Sequence, residues 1–154
     1  MASSFSGSGM ATHTRTVDAP REPLALNGRI TPLGAGLLMA ALVTDLLYLR
    51  TVNTQWETFS IWLITGGLVV AALSGLALIA DVALRRGRRV SAVRFLLFTA
   101  AVVLSVWNAF VHSRDGYTAV APTGVTLSAV VAALLVLGGV LGWDVTRPVV
   151  REER

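Results

Sequence analysis

Residues 85–94 read RRGRRVSAVR, five arginines in ten positions, with long apolar runs on either side. The run before it covers residues 61–84 and the run after it continues to residue 111. A helix needs about 20 apolar residues to cross a hydrocarbon core, so each run is long enough to be a membrane span. A dense basic link between two spans is a topology signal. Arg15, Arg21 and Arg29 precede a first apolar segment, and Arg147, Arg151 and Arg154 follow a fourth. Only Arg50 and Arg114 are left for the other two connections, and the chain has no Lys. Arginines gathered on alternate connections are the positive-inside pattern of a four-span protein with both termini in the cytoplasm.

Composition agrees. Of 154 residues 54% are hydrophobic, and the mean hydropathy of +0.67 is too high for a soluble domain of this length. The fold class that follows is all-α: a four-helix transmembrane bundle running up-down-up-down, with a disordered N-terminal tail. The net charge of +4 does not point to nucleic acid, because arginines beside apolar segments set topology and meet anionic headgroups. No basic stretch carries interleaved aromatics for base stacking. The absence of Cys excludes disulfides and thiol chemistry.

The divisions are a disordered cytoplasmic tail over 1–28, a four-span membrane domain over 29–148 and a short cytoplasmic tail over 149–154. The spans cover about 32–49, 61–84, 91–111 and 125–145. Thr31 suits an N-cap with Pro32 at the first helical position, and Ser60 suits a cap for the second span. Pro148 limits the fourth. The external connections, about 50–59 and 112–124, are too short to fold as domains. Tyr48, Trp56, Trp62, Trp107 and Tyr117 map to the outer boundary and Trp143 to the inner one, as an interfacial belt. Gly34 and Gly36, then Gly67, Ala71 and Gly75, then Gly138 and Gly142 are small residues that let helices approach closely; packing within the chain is the expected use.

Charged side chains within membrane spans are costly and therefore partnered. Asp81 and Asp144 lie near helix C-termini and Arg94 near a helix N-terminus, each opposed to its own helix dipole. Pairing across helices removes the conflict. The expectation is an inner-face ion-pair cluster of Asp81, Arg85, Arg94, Asp144 and Arg147, tying three helices together. Toward the outside, Ser105, Asn108 and His112 share one face of span three at the depth of Asp45. They form a candidate outer polar pocket. Its simplest reading is an Asp45–Asn108 hydrogen bond with His112 at the interface, where His112→Ala would leave stability almost unchanged. A small-ion or proton site is the sharper reading. His13 is the only other histidine, so no bis-His haem pair or zinc triad forms within one chain. Nucleophile elbows, phosphate loops and dinucleotide fingerprints are absent. No cofactor, metal site or catalytic residue is assigned, and the chain is not read as an enzyme.

Several stretches resemble a known family. Pro32-Leu-Gly34 opens span one and Asp45-Leu-Leu closes it; Ser74-Gly75-Leu and Asp81 mark span two. RRVSAVRF enters span three, and Gly138-Gly-Val-Leu-Gly142-Trp-Asp144 ends span four. Residues 24–148 resemble the bacterial membrane family of domain of unknown function 2231. The resemblance implies a four-helix membrane domain without an assigned activity. Some relatives are fused to a Rieske iron–sulfur domain, which implies electron-transfer surroundings. Relatives often carry a His-Pro pair just before the position of Pro32, and a His and an Asn where this chain has Arg94 and Phe98. Any metal or haem held by those histidines would be lost here.

The function expected is that of an accessory or interaction subunit of the bacterial inner membrane. Its partners are the lipid bilayer and another membrane protein or a second copy of itself. The alternatives are a redox-linked subunit serving a Rieske or cytochrome carrier, and a small-ion or proton pathway through Asp45, Asn108 and His112.

Overall fold

The computed structural model describes residues 26–84, 88–114 and 120–148. Four helices account for most of it: α1 Leu26–Thr51, α2 Thr54–Leu84, α3 Ala92–His112 and α4 Thr123–Leu141. All four are long and apolar enough to cross a membrane. Two short strands, β1 Arg88–Val90 and β2 Thr146–Pro148, pair antiparallel with Val90 opposite Thr146. They close one end of the bundle, called the ribbon end below. The α1–α2 turn and the α3–α4 connection lie at the other, the loop end.

The exterior is more apolar than a water-soluble bundle tolerates. Trp62, Leu76, Ile79, Phe110 and Val140 are each more than 60% exposed. In lipid such a surface matches its solvent, whereas in water it would be an aggregating patch. The interior is built from small and medium residues: Ala35, Leu38, Ala41, Ile64, Ala101, Val131 and Leu135. α1 packs most extensively on α2; α4 rests on both α3 and α1, and α2 meets α3 more sparingly. The α1–α2 seam is close because both sides are glycine. A Cβ on Gly67 would lie 2.7 Å from the Leu38 side chain, and one on Gly34 would lie 3.3 Å from the Gly67 carbonyl oxygen. Intramolecular packing is thus the use of Gly34 and Gly67, while Gly36 and Gly75 face open space.

Helix ends depart from the sequence reading in three places. α1 begins at Leu26, so Pro32 lies inside it and Thr31 is not a cap. The hydrogen bond that Pro32 cannot donate falls within the first two turns, where Asp81 Oδ2 accepts the Asn27 N–H at 3.0 Å. The Thr31 hydroxyl donates back to the Asn27 carbonyl at 2.6 Å. α2 begins at Thr54 because Asn53 Oδ1 accepts the Gln55 N–H at 3.0 Å, an N-cap; Ser60 lies inside the helix. α4 stops at Leu141, since Gly142 adopts φ +103°, a conformation open to glycine. From there the chain turns into β2, and Val145 accepts the Ser91 N–H at 2.8 Å. Tyr48 also departs from its expected place: it is 3% exposed and belongs to the interior, not to the belt. Trp62 and Trp107 do face outward. The expected tails, Tyr117 and Arg85 lie outside the described residues, except that 26–28 are helical.

Candidate functional site

Toward the loop end, every helix contributes a polar side chain to one point. Asp45 comes from α1, Ser60 from α2, Asn108 and His112 from α3, and Ser128 from α4. None is more than 3% exposed. Each lies within about two turns of the same end of its helix, so a common depth brings them together.

Asp45 is the centre. Its Oδ1 accepts the Ser60 hydroxyl at 2.5 Å and faces His112 Nε2 at 3.0 Å. Its Oδ2 accepts the Ser128 hydroxyl at 2.6 Å, and Ser128 in turn accepts the Asn108 side-chain N–H at 2.8 Å. On the far side of the imidazole, Nδ1 lies 3.1 Å from the Asn108 main-chain carbonyl. A carbonyl only accepts, so Nδ1 carries a hydrogen. Both ring nitrogens therefore face acceptors. An unpartnered carboxylate here would be very costly; three donors from three other helices offset that cost.

Serine, histidine and aspartate within hydrogen-bond reach invite comparison with a hydrolytic triad. The order is wrong. In a triad the acid holds Nδ1 while the serine addresses Nε2. Here Asp45 and Ser60 are both on the Nε2 side, 3.0 and 3.3 Å away, and Nδ1 is held by main chain. Ser60 also donates directly to the acid. The arrangement ties the helices together and lacks the order of a triad.

Of the expected outer pocket, Asp45, Asn108 and His112 do come together, but not as simply read. Asn108 reaches Asp45 through Ser128 rather than directly, and His112 is buried, not interfacial. Ser105 stays apart, its hydroxyl donated to the Ala101 carbonyl of its own helix at 2.7 Å. Ser60 and Ser128 escaped the sequence reading. The signal that would have found them is depth: one polar residue per span, equally far from the loop end.

Two members of the expected inner-face cluster, Asp81 and Arg94, each meet the end of a neighbouring helix. Asp81 opposes the dipole of α2, but its carboxylate sits on the N-terminus of α1 and accepts the Asn27 N–H, where a negative charge is favourable. Arg94 Nη1 donates to the Asp144 main-chain carbonyl just beyond the end of α4, where a positive charge is favourable. Arg94 thus reaches Asp144 through the main chain. Arg85 lies outside the described residues, and only the main chain of Arg147, in β2, is described.

Four lipid-facing helices around a buried polar tie define an integral membrane bundle. The chain belongs to the family described as "Predicted membrane protein (DUF2231)", whose model matches residues 30–149. It has no significant match among curated proteins or solved structures.

Proposed function

We propose that the protein is a non-catalytic accessory subunit of the bacterial inner membrane, both termini cytoplasmic, that works by contact with another membrane protein or a second copy of itself. The observation carrying this reading is the closure of the Asp45 site. The partners of the Asp45 carboxylate are all members of the site, the side chains are sealed, and the apolar layer of Leu38, Ile64, Val131 and Leu135 lies between it and the ribbon end. A site of that kind fixes helix positions, and relay chemistry needs a continuous polar route. The orientation rests on the arginine pattern: reporters fused after Arg154 should read cytoplasmic, and one near Glu57 should read the far side.

One observation favours a second reading. With both His112 nitrogens facing acceptors, the Asp45–His112 pair is a proton-binding site, as a proton pathway would need. Proteoliposomes with an imposed pH gradient separate the two. The accessory reading expects the gradient to decay at the protein-free rate, with Asp45→Asn indistinguishable from the parent. Gradient decay that requires Asp45 would replace it with the pathway reading.

A further inference from the structure

Between α1, α2 and α3, toward the ribbon end, lies a cavity of about 240 Å³ that none of the Asp45 clasp residues lines. Its walls are almost wholly apolar, Phe98 among them, with Asn27, Thr31 and Ser74 forming a polar end. Gly75 and Val103 on its rim are exposed, so it opens sideways to the bilayer between α2 and α3, which pack more sparingly than α1 on α2. An apolar cavity of about 150 Å³ can stay dry and take a small apolar guest.

The polar end says what kind of guest. Thr31 and Ser74 are satisfied by each other and by the Asn27 carbonyl. The Asn27 side chain is not: the residue is 1% exposed, and neither Nδ2 nor Oδ1 has a hydrogen-bond partner among the described residues. A buried primary amide in that state is costly, and a guest offering an acceptor and a donor removes the cost. Charge narrows the choice. Among the described residues no basic side chain lines the cavity, so an anionic phosphate head would find no counter-charge there.

We propose that this slot binds an uncharged membrane lipid, its apolar chain between α2 and α3 and a carbonyl or hydroxyl of its head on the Asn27 amide. Diacylglycerols offer the amide both a carbonyl and a hydroxyl, and prenylated quinones offer the carbonyl alone. The site is independent of the accessory-subunit reading and survives its failure.

Trp143 supplies the probe, because its ring lies 5.9 Å from that of Phe98. The full chain, with Trp56, Trp62 and Trp107 changed to Phe, is placed in phosphatidylcholine nanodiscs. It is then titrated separately with brominated diacylglycerol, a short-chain prenyl benzoquinone and brominated phosphatidylglycerol. At least one of the two neutral lipids should quench Trp143 saturably, and the one saturating at lower mole fraction identifies the head. Phosphatidylglycerol should quench only in proportion to its bulk fraction. Asn27→Leu keeps the main-chain bond to Asp81 and should weaken the saturable phase about tenfold. Gly75→Leu, whose added Cβ meets open space, should fill the slot and abolish that phase. Equal quenching by all three lipids, insensitive to both substitutions, would overturn the site. So would the absence of saturable quenching by either neutral lipid, an outcome that gives the slot to another occupant such as residues 1–25.

Discussion

The imidazole of His112, the last residue of α3, lies 3.0 Å from the carboxylate of Asp45 in α1, and both side chains are wholly sealed. The two residues are 67 positions apart. Their contact joins helices from opposite halves of the chain.

Removing one partner of a buried pair leaves the other uncompensated, typically at about 3–5 kcal/mol, whereas replacing both by apolar residues is far milder. His112→Leu and Asp45→Leu should therefore each lower the detergent melting temperature strongly. The double variant should recover much of the loss. A near-neutral His112→Ala, as an interfacial histidine would give, is not expected from the buried geometry. Additive losses in the cycle would show that the two do not interact.

Ser128 links two members of the site, accepting from Asn108 and donating to Asp45. Ser128→Ala removes a hydrogen bond to an acidic group and orphans the Asn108 donor, at a cost on the order of 2 kcal/mol. Ser105→Ala breaks only a bond to its own helix and should cost clearly less. Equal effects in thermal unfolding would contradict the distinction.

The span count, the outward apolar faces and the depth of Asp45, Asn108 and His112 were legible because each depends on residue type and helical spacing alone. Partner identity was not. Ser60 has the composition of a cap and Ser128 sits in an apolar run, and only the superposition of four helices at one depth turns them into ligands of Asp45. The ribbon was equally hidden: three-residue strands reading RRV and TRP have no alternation to detect. Asp81 and Arg94 were singled out for the right conflict with their own dipoles. Each also meets the end of a neighbouring helix, whose main-chain groups carry no sequence signature.

Arg94 meets Asp144 through the main-chain carbonyl, and side-chain replacement leaves that acceptor in place. Arg94→Ala should cost on the order of 1–2 kcal/mol. Combined with Asp144→Ala it should show little coupling, within about 0.5 kcal/mol of additivity. Strong coupling in thermal unfolding would restore the carboxylate pairing.

At the α1–α2 seam, Gly67→Ala places a methyl group 2.7 Å from Leu38 atoms, one of them the branch-point Cγ. Overpacking of that kind typically costs about 1–3 kcal/mol. Gly36→Ala, facing open space, should be neutral or slightly stabilising through helix propensity. A reversed order of melting temperatures would mean that the seam is looser than described.

The most direct test of the buried clasp is the nitrogen spectrum of His112 in the ¹⁵N-histidine-labelled protein in nanodiscs, assigned against His112→Leu. With Nδ1 facing the Asn108 carbonyl and Nε2 facing Asp45, both ring nitrogens should carry hydrogens protected from water exchange, and Asp45→Asn should change the Nε2 signal most. A ring lacking the Nδ1 hydrogen, or one exchanging rapidly with water in the parent protein, would contradict the account.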